Sequence, residues 1–349
     1  MPMASAWWPS IGPTERCLRC LRRLLGGTLL LWLAAVASAA PLAFISNQGS
    51  DDVSVIDLDA LREVARIPVG KAPAGVAASA AAGRVFVTTP GSNGLSVIDI
   101  ASRREVARLP LGQGAVGVAV SPDGRRVYVS DWFGARLLGL DAATLAPVLD
   151  VPLGAAPAGI EVSADGHTVW VAERDANRVA EVDLREPARA QVRRRFEVGE
   201  HPFGLLHDAS RQRLYVLGVY ANDVTVIDLA TGTELARIAV GRAPYQAALI
   251  DGGRRVAVSN QRGDSVSLID AATLRVVGTL DGFGYPEGVA SHAGNLLVVN
   301  WMDDTLAVVD ATSGQRRATL PLGLNPRGFG AFVVDSQAET STTHRRPIP

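Results

Sequence analysis

Three sets of residues in this 349-residue sequence have types and spacings that could do chemistry. The first is Cys17-Leu18-Arg19-Cys20, the spacing of a dithiol redox pair or of half a zinc site. The second is a series of aspartates, Asp57, Asp99, Asp141, Asp183, Asp228, Asp270 and Asp310, which invites a search for paired catalytic carboxylates. The third is Glu287 with His201 and Arg242, an acid/base set for a lactonase-like hydrolase if the fold brings the three together. The histidines are His167, His201, His207, His292 and His344, and no two have the spacing of a metal-binding pair, so no metal site is expected. A single histidine, His201, could still be an axial haem ligand.

The cysteines belong to a processing segment. Arg16, Arg19, Arg22 and Arg23 precede an apolar run from Leu24 to Val36, and Ala37-Ser38-Ala39 supplies small residues at a cleavage site. The run is shorter than the ~18–20 residues that cross a bilayer. Residues 1–39 are expected to be a signal peptide, the mature chain to start near Ala40, and the protein to be periplasmic or secreted without a membrane span. A mature chain without cysteine excludes disulfides, thiol catalysis, covalent c-type haem attachment and thiolate-bound iron–sulfur clusters. The segment carries four arginines and one glutamate, a local +3, so its removal takes the net charge from −1 to −4. Lys71 is the single lysine. Such a body disfavours broad contact with nucleic acid.

The aspartates are explained by the element that carries them. The stretch Val69-Gly70-Lys71-Ala72-Pro73-Ala74-Gly75 recurs down the chain, with its proline-equivalent position at 73, 115, 157, 202, 244, 286 and 326. The steps of 42, 42, 45, 42, 42 and 40 define a repeat architecture. In the third unit Val118-Ala119-Val120 reads as a strand and Ser121-Pro122-Asp123-Gly124 as a turn. Arg125 to Ser130 and Leu137 to Asp141 read as two further strands, and Leu145 to Leu153 as an edge strand that tolerates Pro152. Four short strands per unit make the blade of a β-propeller. Each aspartate closes a third strand, where its carboxylate can accept from turn amides two or three residues on. That role needs one aspartate per unit and no catalysis.

The chain begins with a second strand, Leu42 to Asn47, and ends with a first strand, Pro326 to Asp335. The surplus matches the deficit, so an all-β, seven-bladed propeller of four-stranded blades over residues 40–335 is expected. The C-terminal strand closes its ring. Residues 336–349 are polar, hold Pro347 and Pro349, and are expected to be a disordered tail.

Pro73-Ala74-Gly75-Val76-Ala77, Arg125-Arg126-Val127-Tyr128-Val129-Ser130 and Val224-Thr225-Val226-Ile227-Asp228 resemble the repeats of the YVTN-type seven-bladed propellers. These include periplasmic YncE-like proteins and surface-layer repeat proteins. The same superfamily holds the haem d1 domain of nitrite reductase and the amine dehydrogenase heavy chains. The resemblance covers about residues 41–335 and implies the fold; function has to be argued from a site.

The position after each proline-equivalent supplies one. Around the ring it holds Ala74, Val116, Ala158, Phe203, Tyr245, Glu287 and Arg327, a change from small to large or charged that blade packing does not require. Neighbouring loops on the same face add Trp132, His201, Tyr220, Arg242, Gln261, Arg262, Tyr285 and Trp301. Exposed aromatics with arginine mark a binding surface. The leading expectation is a monomeric, non-catalytic binding module with no cofactor, taking a protein or small ligand on this face. A redox-cofactor propeller resembling the haem d1 or amine dehydrogenase domains and the lactonase-like hydrolase are the alternatives. YncE-like proteins are associated with single-stranded DNA, which aromatics with arginine could stack, but the acidic charge disfavours it. Arg185, Arg189, Arg193, Arg194 and Arg195 cluster on an outer edge, where charge blocks sheet pairing or forms a basic docking patch.

Overall fold

The computed structural model describes residues 40–112 and 114–335. The expected signal peptide with Cys17 and Cys20, and the expected tail over residues 336–349, lie outside them. Strand follows strand from Leu42 to Val334, interrupted by short 3-10 turns, and the strands form a ring of seven blades. Among the described residues no helix is long and apolar enough to cross a membrane.

Blade three shows how a unit is built. Its inner strand Ala115–Val120 pairs with Arg126–Asp131, then Arg136–Asp141, then the outer Pro147–Pro152, all antiparallel. The second and third strands are covered by neighbouring blades on both faces. Val127, Tyr128 and Val129 are therefore buried in succession rather than alternately. Each such side chain contributes roughly 1.5–3 kcal/mol on burial. Outer strands face solvent and alternate, as in Arg104–Pro110. They present paired charges such as Glu105 with Arg108, which resist edge-to-edge association.

The seven third-strand aspartates perform the turn role. Each accepts a backbone N–H two or three residues on, from Ala60 to Asp57 at 2.8 Å through to Ser313 to Asp310 at 2.8 Å. A second device, unread in the sequence, joins the blades. The fifth residue of a second strand is a hydroxyl in four blades. Ser46, Thr88, Ser130 and Ser259 donate to the carbonyls of Ala74, Val116, Ala158 and Glu287 at 2.7–2.8 Å. Each acceptor lies on the next blade's inner edge. Inner-strand glycines allow the close approach: a methyl on Gly159 or Gly204 would overlap the carbonyl of Phe203 or Tyr245.

Ring closure follows the expected scheme with one departure. Val333 and Val334 pair with Ala43 and Leu42, and the Phe44 N–H donates to the Phe332 carbonyl at 2.8 Å. The closing strand is not continuous, however. Phe329–Ala331 leaves the first blade and pairs in parallel with Gly75–Ala77 of blade two. Gly328 and Gly330, at φ of 60° and 112°, permit the detour. It carries Phe329 to the axis of the ring.

Candidate functional site

The turn before each inner strand fixes the site. The residue preceding the proline is left-handed at Ala72, Ala156, His201, Ala243, Tyr285 and Asn325. Its N–H is tied to a side chain on the preceding blade: Asp51 holds Ala72, Asn177 holds His201, Asn222 holds Ala243, Asp264 holds Tyr285 and Asp304 holds Asn325, at 2.7–3.0 Å. The inner strand then slips register against its neighbour immediately after Ala115, Pro157, Pro202, Pro244 and Pro286. Such a bulge re-aims the next side chain. Val116, Phe203, Tyr245 and Glu287 are thereby directed to the mouth of the channel, where Arg327 joins them.

There they line a cup of about 610 Å³. A second ring of side chains completes it, the residues directly following the second strands: Gln48, Pro90, Trp132, Arg174, Val219, Gln261 and Trp301. Of the residues expected from the sequence, Trp132, Phe203, Tyr245, Gln261, Tyr285, Glu287, Trp301 and Arg327 line the cup. Four others do not. His201 and Tyr220 pack on each other beside it, ring centres 4.3 Å apart. Arg242 and Arg262 are exposed at its flank, joined by a backbone hydrogen bond of 3.2 Å. Gln48 and Arg174 were missed, although the position after strand two recurs once per unit as plainly as the proline does.

The floor is polar and closed upon itself. Arg327 Nε donates to Glu287 Oε2 at 2.7 Å, and its second nitrogen donates to Glu287 Oε1 and to the Tyr245 phenol at 3.2 and 3.0 Å. Gln261 donates to Glu287 Oε1 at 2.7 Å. Burial, the largest single influence, lowers the Arg327 pKa; the Glu287 carboxylate and the Tyr245 and Tyr285 phenols together outweigh it and the net shift is upward. Burial raises the Tyr245 phenol. Tyr245 is 5% exposed, stacked on Phe203 at 4.6 Å and against Phe329 at 5.4 Å. It is thus a core residue with one edge in the cup, not an exposed anchor. Glu287 therefore pairs with Arg327, which removes the set Glu287, His201 and Arg242 as an acid/base site.

The walls are aromatic. Trp301 packs on Tyr285 at 5.4 Å and donates its indole N–H to Gln48 at 3.3 Å. Arg174 lies between the faces of Trp132 and Tyr220, at 5.4 and 5.6 Å, and pairs with Asp175. Phe133, Tyr220, Met302 and Leu324 are large apolar side chains left exposed. The outer-edge arginines form no free basic patch. Arg193 and Arg194 pair with Glu181, Arg195 with Glu173, Arg185 with Asp183 and Arg189 with Glu186. Among the described residues no group of three or more His, Cys, Asp or Glu side chains is placed to hold a metal ion.

Fold and cup together define a seven-bladed β-propeller with a ligand-sized depression at one mouth of its channel. The family model described as the cytochrome D1 heme domain matches residues 38–161. No curated protein matches the chain. Among solved structures, the hydrazine synthase of Kuenenia stuttgartiensis is similar at 18% identity and a TM-score of 0.69, over 78% of this chain and 92% of that one. The dihydro-heme d1 dehydrogenase NirN in complex with DHE is similar at 19% and 0.63, over 84% and 75%. A functionally unknown protein from Desulfotomaculum acetoxidans DSM 771 is similar at 14% and 0.71, over 84% and 98%. At these identities the likeness shows the fold.

The walls and the donors of the cup suit different chemical groups. Its walls suit the faces of a flat conjugated ring. Its donors do not suit an iron: no His, Cys or Met is among the described residues that line it, and the phenol and carboxylate of the floor are held by Arg327. His201 has a buried Nδ1 without a hydrogen-bond partner, but it stands outside the cup against Tyr220.

Proposed function

We propose that the protein is a non-catalytic binding module whose cup takes a flat, conjugated organic ligand carrying an acidic group. One observation carries the reading: an open depression of about 610 Å³ walled by Trp132, Phe133, Tyr285 and Trp301, with Arg174 at its side. Aromatic faces hold a flat ring by stacking, and the Arg174 guanidinium, with one nitrogen on Asp175, keeps its other donors for an acidic group. The match to the haem d1 domain over residues 38–161 supports a tetrapyrrole as a member of that ligand class. The proposal includes export by way of residues 1–39. The rival reading, a redox propeller that ligates haem iron, draws on the same match but has no His, Cys or Met among the described residues that line the cup.

Titration with iron(III) protoporphyrin IX and with its metal-free form separates the two, followed by the absorption of the ligand. Stacking predicts that both forms bind with comparable affinity. Trp132→Ala with Trp301→Ala should weaken both at least ~30-fold, the equivalent of about 2 kcal/mol. Failure of both forms to bind would sink the proposal. So would binding of the iron form alone, with a ligated-haem spectrum that survives the double substitution.

A further inference from the structure

Below the cup the inner strands line a second chamber of about 350 Å³, which shares no lining residue with the first. Phe329 and Gln246 form the septum. Phe329 packs beneath Phe203 and Tyr245 at 4.9 and 5.4 Å. Gln246 stands where other inner strands have Gly75, Gly117, Gly159, Gly204 and Gly288. Its amide donates to the carbonyls of Val289 and Gly330 at 3.2 and 2.9 Å, and its oxygen accepts from the Gly330 N–H at 3.2 Å. Its donors are therefore spent on the septum.

The chamber wall is mixed, with Val118, Ile160, Leu206, Ala248 and Val289 as its apolar part, Gln246 and the exposed Ser291 among its polar groups, and Pro122 at the turn on the face opposite the cup. Among the described lining residues one side chain is charged, Glu161. It lies two residues past the inner-strand glycine, where the other blades place Ala77, Ala119, Leu206, Ala248 and Ala290. No side chain or backbone group among the described residues hydrogen-bonds or pairs with its carboxyl. Glu161 is half-buried on the channel wall, and its partial removal from solvent raises the carboxyl to about 8. The other titratable groups on the strands that form the wall, His207, Asp208, Tyr245, Glu287 and His292, line no part of the chamber.

We propose that the lower chamber binds a small organic ammonium ion, its hydrocarbon body against the inner strands and its charge on Glu161. A half-buried carboxylate with no protein partner is harder to ionise than one in bulk water, and a cation that fills the space beside it favours the ionised form. A hard divalent ion is a poor occupant, because it asks for about six or more oxygen ligands. The volume is at the small end of the ~300–1,000 Å³ range of ligand pockets. Linkage sets the pH dependence. With the Glu161 carboxyl raised to about 8 in the free protein, cation binding at pH 7 is expected to release a proton. Each pH unit below that value lowers the ionised fraction, and with it the apparent affinity, about tenfold.

Calorimetric titration of the full chain tests this, with benzylammonium as probe and benzyl alcohol as its neutral counterpart. Measurement in two buffers of different ionisation heat counts the protons. Benzylammonium should bind, release about one proton at pH 7, and bind about tenfold tighter at pH 7 than at pH 6. Glu161→Gln should abolish its binding while leaving any weak binding of benzyl alcohol unchanged. Ala248→Leu, which fills the chamber and spares the carboxyl, should also abolish it. Equal binding of benzylammonium to Glu161→Gln and the native chain would overturn the proposal, as would preference for the alcohol or no ammonium binding at millimolar concentration.

Discussion

The residues that line the cup divide into those that hold it and those free to meet a ligand. Glu287 and Arg327, with side chains 2% and 21% exposed, form a buried pair. Removing one partner of such a pair costs roughly 3–5 kcal/mol, since the other is left charged and unpaired. The Tyr245 hydroxyl contributes one hydrogen bond to Arg327, worth about 1 kcal/mol. Thermal melts should therefore rank the native chain above Tyr245→Phe, and Tyr245→Phe well above Glu287→Gln. Tyr245→Ala would add a core cavity and so cannot serve as a clean binding variant. Trp132 and Trp301, half-exposed, can. A Glu287→Gln chain that melts with the native one would show that the pair is a surface contact with no hold on the ring.

At the scale of the element, each blade repeats an acidic turn, and in blades two to seven the turn holds its carboxylate in the ionised form. The Ser102 hydroxyl keeps Asp99 low, and the backbone N–H of Thr144, Thr231 and Thr273 does so for Asp141, Asp228 and Asp270. Asp183, beside Arg185, and Asp310, under the Ser313 amide, fall to about 2. A carboxylate depressed on folding adds stability above its unfolded pKa, about 3.9 for aspartate, and loses it as pH falls through the folded value. Melting temperature should thus be level above about pH 4 from this source and decline toward pH 2. Asn keeps the acceptor and does not titrate, so Asp141→Asn with Asp270→Asn should make the decline shallower. An unchanged slope would mean that other carboxylates govern acid unfolding.

For the whole molecule, the closing segment decides whether there is a ring at all. Truncation after Gly323 removes Phe329 and Phe332, 6% and 0% exposed, and strands Glu287 without Arg327. Each phenylalanine is worth roughly 1.5–3 kcal/mol and the broken pair ~3–5. The melting temperature should fall on the order of 10 °C or more. Truncation after Asp335 is expected to leave it unchanged, because pairing with the first blade ends at Val334. Equal melting of the two truncated chains would refute closure by this strand.

The sequence by itself determined the period, the count of blades, the aspartate turns, the closing strand and the face on which large side chains gather. These are legible because each is written within one unit, in turn chemistry and strand-length apolar runs that repeat. The tertiary structure decided what the gathered residues do. It buried Tyr245 and tied Glu287 to Arg327 across 40 residues rather than to His201 or Arg242. It also set Gln246 against Gly330, 84 residues away, and left the Glu161 carboxyl without a partner among the described residues. No local pattern encodes these meetings. They occur at the axis, where residues from distant units are brought side by side by the angle between blades, and burial there is a property of the closed ring.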